Sequence, residues 1–200
     1  MERYEKYKDS GTEWIGDIPE HWKIVRLKYD LIIKKGRNPQ STTFEPISLP
    51  YLSMEYLRGK TDMPIYVLPQ KNLVETNEKD ILILWDGANA GEVIMSKKGY
   101  LSSTMAVLNV SKNIFETEFW YYFLKSNERL FKLDADGTTI PHFDPTLLKE
   151  TFWRIPPVIE QQQIVSFIEK EIAIINTAIS TIEREISLVE EYKTALIALS

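Results

Sequence analysis

Residues 156–200, PPVIEQQQIVSFIEKEIAIINTAISTIEREISLVEEYKTALIALS, decide how the chain is organised. After Pro156 and Pro157 this stretch contains neither glycine nor proline, which is typical of one long helix. Its apolar residues recur in alternating steps of three and four, the heptad pattern of a coiled coil. We call these positions the isoleucine seam: Val165, Ile168, Ile172, Ile175, Ile179, Ile182, Ile186, Val189 and Leu196, with Lys193 at the one polar position. The pattern predicts a helix that packs against another helix.

The predicted helix is too long to be covered by the rest of the chain. Residues 160–200 would extend roughly 60 Å, which exceeds the width of a domain of this size. We therefore expect the seam from Ile168 to Leu196 to form a homodimer interface. The alternative is the last helix of a compact bundle, but such helices average roughly 11 to 12 residues and carry caps.

Short strand-like runs dominate the first part of the chain. They are PYLSM, IYVL, ILILW, EVIM and MAVLNV. Turn signals such as Asp86-Gly87 and Lys98-Gly99 separate them, which predicts strand–turn–strand units with Lys97 and Lys98 in a hairpin.

Two short helices are predicted between and after these strands. TEFWYYFLKS has Thr117 at its cap, and DPTLLKE has Asp144 as its N-cap with a proline in the first helical position. The predicted fold class is therefore α/β, in the mixed α+β sense. A globular domain over 1–155 is followed by a long coiled-coil helix over 156–200.

The negative charge of the chain is concentrated in the predicted long helix. The formal net charge is −5, from 24 lysines and arginines against 29 aspartates and glutamates. Residues 1–155 carry a net charge of −1, and residues 156–200 carry −4. The basic excess typical of nucleic-acid binding is therefore missing, yet a near-neutral domain can still carry a local basic face.

The composition excludes several classes of site. There are no cysteines, which excludes disulfides, thiolate chemistry and Cys-rich zinc sites. The two histidines, His21 and His142, lie far apart in sequence, so we expect no metal site. No stretch approaches the roughly 18 uncharged apolar residues of a membrane span, and the amino terminus is polar rather than a signal peptide. We therefore expect a cytoplasmic protein that makes no membrane contact.

No set of polar residues predicts catalysis. GANAG at 87–91 lacks the third glycine of a dinucleotide loop and the Gly-Lys-Ser/Thr of a phosphate loop, so it predicts a tight turn. Pro156-Pro157 lacks the Asn/Asp and the aromatic residue expected beside such prolines in adenine methyltransferases. The residues that suggest a hydrolytic triad are Ser102, Ser103, His142 and Asp144. No nucleophile elbow surrounds either serine, and the chain is predicted to be non-catalytic.

Four stretches carry a resemblance to a known family. YKDSGTEWIGDIPEHWKIVRLKYDLIIKKGRNP at 7–39 has Trp-Ile-Gly, Ile-Pro and His-Trp as its distinctive elements. DILILWDGANAGEVIMSKKGYLSSTMAVLNV at 80–110 is the second stretch. DGTTIPHFDPTLLKETFWRIPPVIEQQQIVSFIEKEI at 136–172, with its Pro-Pro and Glu-Gln, and LVEEYKTALI at 188–197 are the others. Together they are spread along nearly the whole chain, which resembles the DNA specificity subunits of type I restriction-modification systems.

The resemblance implies a target-recognition domain that reads one half of a split double-stranded DNA sequence, and a helical spacer that docks methyltransferase subunits. It implies that a restriction subunit joins through those subunits. It also implies that S-adenosylmethionine binds to the methyltransferase, so that this chain holds no cofactor. A typical member has two recognition domains and two spacer helices, whereas this sequence has one of each. A natural half subunit and a fragment of a longer subunit both remain open.

Candidate DNA contacts lie in the predicted loops, which can present side chains to base edges and phosphates. They are Lys34, Lys35, Arg37, Asn38, Arg58, Lys60, Lys97, Lys98, Thr138, Thr139 and His142. Arginine can bond guanine and asparagine can bond adenine in bidentate fashion, so these types are the predicted base readers. The lysines are expected at phosphates. Each candidate can also be an ordinary exposed polar residue, and His142 is better explained as a turn residue.

Two functions of other classes remain open beside DNA recognition. The first is a coiled-coil adaptor whose globular domain binds protein, and the second is a hydrolase that uses Ser103 and His142. If DNA is the target, an antiparallel homodimer through the seam would place two identical domains about a two-fold axis. Such a dimer would read a split palindrome.

Overall fold

The structure, a computed structural model, describes residues 4–11, 16–68, 70–111, 113–135 and 141–198. The chain divides into two units, Met1–Val158 and Ile159–Ser200. The boundary predicted from the sequence, between residues 155 and 156, lies just before this division.

Short strands and helices make up the described part of the first unit, and the last helix makes up that of the second. The strands are β1 (Tyr7–Asp9), β2 (Asp17–Pro19), β3 (Lys23–Val25), β4 (Ile32–Lys35), β5 (Thr42–Thr43), β6 (Tyr51–Leu52), β7 (Tyr66–Val67), β8 (Glu75–Thr76), β9 (Ile81–Leu84), β10 (Val93–Met95), β11 (Gly99–Leu101), β12 (Met105–Asn109) and β13 (Trp153–Ile155). The helices are α1 (Met54–Leu57), α2 (Thr117–Ser126), α3 (Glu128–Ala135), α4 (Pro145–Glu150) and α5 (Val158–Ala198). All five apolar runs of the sequence contain a strand, as predicted.

The largest sheet of the first unit has four antiparallel strands in the order β10-β9-β12-β4. All four residues of β9 and the first four of β12 are buried. Strands with both faces covered are continuous apolar runs, which is why ILIL and MAVL show no alternation. The outer strand β4 differs, because its Lys34 and Lys35 are exposed. The sheet therefore presents two lysines along one edge.

A second sheet has the order β6-β11-β8, with β11 parallel to β6 and antiparallel to β8. The hairpin predicted around Lys97 and Lys98 is wrong, since β10 and β11 belong to different sheets and these lysines connect them. Gly99 supplies the physical reason. A Cβ at this position would lie 2.6 Å from the Leu52 side chain and 2.6 Å from the Pro50 carbonyl oxygen. Glycine therefore lets β11 approach β6 instead of folding back on β10.

Three two-stranded antiparallel sheets complete the first unit and pair β1 with β2, β5 with β7, and β13 with β3. The last pair places Trp153 opposite Val25, which joins distant parts of the chain. The indole N–H of Trp153 also donates to the carbonyl oxygen of Leu148 at 2.8 Å. These contacts fix the segment that leads to Pro156 and Pro157.

The two helices predicted between residues 117 and 150 are present, with one change at a cap. The N-cap of α2 is Glu116 and not Thr117, because the Glu116 carboxylate accepts from the backbone N–H of Phe119 at 2.9 Å. Asp144 caps α4 as predicted and accepts from the N–H of Thr146 at 2.8 Å. Carboxylates at these ends satisfy amide groups that have no partner within the helix.

The carboxyl-terminal stretch forms the single long helix α5, as its heptad pattern predicts. Val165 is buried, Ile168 is half-buried, and every residue from 169 to 198 is exposed. The isoleucine seam is therefore open to solvent along most of its length. In the part of the chain that the structure describes, no helix combines the length and the apolar character needed to cross a membrane.

Candidate nucleic-acid interface

The loop after β4 is held close to the backbone of residues 101–105. The N–H of Gly36 donates to the carbonyl oxygen of Met105 at 2.9 Å, and the N–H of Arg37 donates to that of Leu101 at 3.1 Å. A Cβ at Gly36 would lie 2.1 Å from the carbonyl oxygen of Ser102, so only glycine fits this approach. Lys35 and Arg37 lie on either side of this glycine and have exposed side chains. Their backbone positions are therefore fixed.

Lys34, Lys35 and Arg37 line one shallow surface depression together with Asn72 and Val74. Asn72 has a positive φ of 68°, a conformation that asparagine tolerates better than most residues. Among the described residues, Lys34 and Arg37 have no carboxylate within ion-pair distance, whereas Lys35 has one. The depression is therefore a local basic surface on a domain of nearly neutral charge.

A polar cluster surrounds Lys35. Its ammonium lies 2.7 Å from Asp86 Oδ2 and 5.4 Å from the centre of the Trp85 ring. His142 Nδ1 lies 2.6 Å from Asp86 Oδ1, and the Trp85 indole N–H donates to His142 Nε2 at 3.1 Å. A neutral imidazole with its proton on Nδ1 satisfies both bonds. Both ring nitrogens of His142 are thus used within the protein.

The ionisation of Asp86 follows from this cluster. Partial burial acts to raise its pKa, but hydrogen bonds and charge from Lys35 and His142 outweigh burial and hold the pKa below its ordinary value. Asp86 is therefore charged at neutral pH and holds the Lys35 ammonium in an ion pair.

Asn38 lies next to this cluster and is held by two hydroxyl groups. Its Oδ1 accepts from Tyr51 Oη at 3.0 Å and from Ser103 Oγ at 2.8 Å. Tyr51 belongs to β6 and Ser103 to the turn before β12, so three separate segments meet at one exposed carboxamide.

The remaining lysine and arginine candidates form a second group around α1. Arg58 follows α1, forms a salt bridge with Glu92, and donates from Nε to Glu92 Oε1 at 3.3 Å. The Lys97 ammonium lies 4.5 Å from the centre of the Tyr56 ring and donates to the Tyr56 carbonyl oxygen at 3.3 Å. Lys60 and Lys98 are exposed. Arg58 and Lys97 are engaged with the protein, whereas the side chains of Lys60 and Lys98 extend into solvent.

The residues proposed for a hydrolytic triad do not come together. His142 bonds Trp85 and Asp86, while the Ser103 hydroxyl donates to Asn38. The Ser102 hydroxyl shares a hydrogen bond of 2.9 Å with Thr104, and Asp144 caps α4. No serine of this set is bonded to the imidazole, so the geometry does not support the hydrolase hypothesis.

Some of the candidates and their neighbours differ from the sequence-based expectation. Thr138 and Thr139 lie outside the described residues. Trp85, Asp86 and Tyr51 contact the candidates but were not predicted as site residues. Asp86-Gly87 gave only a turn signal and Tyr51 only a strand signal, since neither pattern reveals which distant side chain will lie beside it.

A family model for the type I restriction modification DNA specificity domain matches residues 19–187. The chain belongs to this family. It is 35% identical over 181 residues to the type I restriction enzyme MjaVIII specificity subunit of Methanocaldococcus jannaschii. That match covers 90% of this chain and 41% of the relative, so the chain spans about two fifths of the relative's length.

Solved structures share the fold. One, described as the structural basis of complex assembly and conformational transition of the type I R-M system, matches with a TM-score of 0.67 and 23% identity, over 92% of this chain and 46% of that chain. The HsdS subunit from Thermoanaerobacter tengcongensis matches with a TM-score of 0.60 and 22% identity, over 86% and 42%. The type I restriction-modification S subunit from M. genitalium matches with 0.52 and 21%, over 74% and 38%. At these identities the likeness establishes the fold alone.

The predicted family and fold class are confirmed by these comparisons. The family consists of specificity subunits, and the chain is accordingly a non-catalytic member, as predicted. The individual DNA contacts and the homodimer stay predictions.

Proposed function

We propose that this chain reads one half of a bipartite double-stranded DNA target for a type I restriction-modification complex. The observation that carries the proposal is the local basic surface of a chain in a DNA specificity family, where Lys34, Lys35, Arg37 and the fixed Asn38 lie on one edge of the first unit. Lysines that face solvent suit phosphate, and arginine and asparagine suit base edges.

The two groups of candidates divide this task. Lys34 and Arg37 form no ion pair among the described residues, so they can contact DNA without breaking one. The exposed Lys60 and Lys98 are also available. Arg58 would first have to leave Glu92. We therefore assign base reading to Arg37 and Asn38, and phosphate contacts to the exposed lysines of both groups.

The exposed helix α5 supports a homodimer as part of this proposal. Of the seam residues, Ile175 is 55% exposed, Ile182 54% and Val189 66%, more apolar surface than a lone helix keeps in water. Antiparallel pairing of two copies through residues 160–200 would give a symmetric pair of recognition domains. Identical domains read identical half-sites, so the target would be a split palindrome.

A second exposed stripe on α5 supports docking of a further partner. Phe167, Ile174 and Leu188 lie at multiples of seven residues from one another, off the isoleucine seam, and each is more than half exposed. A helix with two apolar stripes can contact two helices at once. We assign the second stripe to the methyltransferase subunits, which would bind S-adenosylmethionine and through which a restriction subunit would join.

Co-expression with methyltransferase subunits tests the proposal, with methylated sites mapped in cells with and without this chain. We expect methylation at one split palindrome in cells with this chain, and none there without it. The pure chain should not turn over S-adenosylmethionine. Turnover by the pure chain, or an unchanged methylation map, would refute the proposal, and a non-palindromic target with this as the sole specificity chain would refute the symmetric dimer.

The exposed seam also favours a second candidate, a coiled-coil adaptor that binds protein. Salt dependence separates the two, because DNA binding releases one counterion for roughly every phosphate neutralised. Affinity for duplex DNA that falls steeply as salt rises supports the DNA reader. The absence of any salt-dependent DNA affinity supports the adaptor.

A further inference from the structure

The Asn38 carboxamide turns its oxygen toward two hydroxyl groups of the protein. Its oxygen has two lone pairs, and both are used by the hydroxyl groups of Tyr51 and Ser103, at 3.0 Å and 2.8 Å. Its NH₂ group has no hydrogen-bond acceptor among the described residues, and the residue is exposed. The side chain therefore offers two donors to solvent and withholds its acceptor.

The backbone beneath Asn38 is held as firmly as the side chain. Gly36 and Arg37 are bonded to the carbonyl oxygens of Met105 and Leu101, and Gly36 leaves no space for a Cβ. Tyr51 is fixed in turn, since β6 pairs with β11 and places it opposite Tyr100. Groups held from several sides discriminate between ligands, because they cannot turn to suit another one.

We infer that Asn38 is a specificity-determining residue that selects guanine and rejects adenine. This inference rests on the proposed function. The major-groove edge of guanine offers two acceptors, N7 and O6, which match a group that only donates. Adenine offers one acceptor and one donor, so an asparagine reads it by donating from nitrogen and accepting at oxygen. In this fold the oxygen is already occupied, and the expectation that Asn38 bonds adenine is replaced by guanine recognition.

The donors of Asn38 also match phosphate oxygens, and the experiment separates the two sources. Binding of the chain with its methyltransferase subunits is measured on the mapped target, on a random duplex, and on targets that carry 7-deazaguanine at one guanine at a time. Loss of N7 should weaken wild-type binding at the position that Asn38 reads. Asn38→Ala should lower the affinity for the target by about tenfold or more, as for one good base contact, and should no longer respond to 7-deazaguanine there.

Two further variants test the orientation of the carboxamide. Asn38→Asp keeps both hydroxyl bonds but has no donor, so it should lose the preference for target over random duplex as Asn38→Ala does. Tyr51→Phe releases one lone pair of the oxygen, and it should raise the relative affinity for a target with adenine in place of that guanine. Tyr66→Phe is the matched control, because its hydroxyl makes no hydrogen bond among the described residues, and it should leave the preference unchanged.

Several results would overturn the inference. Equal losses on target and random duplex in Asn38→Ala would place the residue at phosphate. A response to 7-deaza-adenine instead of 7-deazaguanine would make it an adenine reader, and an unchanged base preference in Tyr51→Phe would remove the orienting role of the hydroxyl. A wild-type complex that prefers no duplex at all would refute the proposed function itself, and this inference with it.

Discussion

Replacing Ile179 and Ile182 with glutamate tests whether the isoleucine seam holds two chains together. These side chains are 48% and 54% exposed, so each has about half of its surface left to bury. Full burial of an isoleucine contributes about 1.5–3 kcal/mol, and burial of the remaining half therefore contributes about 0.8–1.5 kcal/mol. Because each substitution occurs in both chains of a symmetric dimer, the double variant should lose about 3–6 kcal/mol before any cost of burying carboxylates.

That loss is large enough to measure as a change in oligomeric state. A tenfold change in Kd corresponds to about 1.4 kcal/mol, so the dimer should weaken by roughly a hundredfold or more. Sedimentation or light scattering over a concentration series gives the Kd of both proteins, and circular dichroism shows whether the helix persists. Ser180→Glu with Ser187→Glu is the matched control, because it adds the same charge at exposed positions off the seam.

Two outcomes would refute the reasoning about the seam. One is a wild-type chain that stays monomeric at every concentration tested. The other is a glutamate double variant that dimerises as tightly as the wild type while the control also does so. In either case the apolar stripe would have to be covered by a different protein.

Three further predictions concern the first unit. Arg37→Ala should weaken specific DNA binding by about 1–3 kcal/mol more than binding to random duplex, whereas Lys98→Ala should weaken both about equally. Glu128→Gln should lower the free energy of unfolding by about 1 kcal/mol at pH 7, since two lysines and the Val93 N–H bond this carboxylate. Although burial acts to raise the pKa of Glu128, these partners hold it below the ordinary 4.5, so the difference should vanish as the pH falls through and below that value. Gly36→Ala should destabilise the fold by about 1–3 kcal/mol and reduce DNA affinity, because its Cβ meets the Ser102 carbonyl.

Each of these predictions has a result that contradicts it. If Arg37→Ala loses equal affinity for specific and random DNA, Arg37 contacts phosphate and not a base. A difference between wild type and Glu128→Gln that grows on acidification, in denaturant titrations at several pH values, would contradict the sign of the pKa shift. A Gly36→Ala protein with unchanged Tm and affinity would show that the loop can move away. Gly59→Ala is its control, because a Cβ there meets nothing within 4 Å and probes only the positive φ of 67°.

The sequence predicts well those elements that are determined by residues close to one another in the chain. The heptad pattern repeats every seven residues along one stretch of sequence, and this stretch forms the helix Val158–Ala198. The cap of α4 is equally local, since Asp144 and the Thr146 N–H that donates to its carboxylate lie two residues apart. The buried strands β9 and β12 were visible as continuous apolar runs.

Pairing between strands is not local, and there the prediction failed. The stretch from β10 to β11 has the pattern of a hairpin, with two apolar runs joined by Lys97 and Lys98. What separates the strands is a contact of Gly99 with Pro50 and Leu52, about a third of the domain away in sequence. The same limit applies to the candidate site. Basic residue types pointed to Lys34 and Arg37, but no local pattern could pair Lys35 with Asp86 or Asn38 with Tyr51.

The net charge of −5 gives no sign of the local basic surface on which the proposed function depends. Most of it belongs to residues 156–200, where glutamates flank an apolar seam. In the first unit, single basic side chains pair with single carboxylates, Lys35 with Asp86 and Arg58 with Glu92. An exposed ion pair contributes about 0–1 kcal/mol. The Lys35 side chain is 41% exposed, so a phosphate can replace Asp86 as its partner at little cost. An acidic chain can therefore bind a polyanion through a small basic surface.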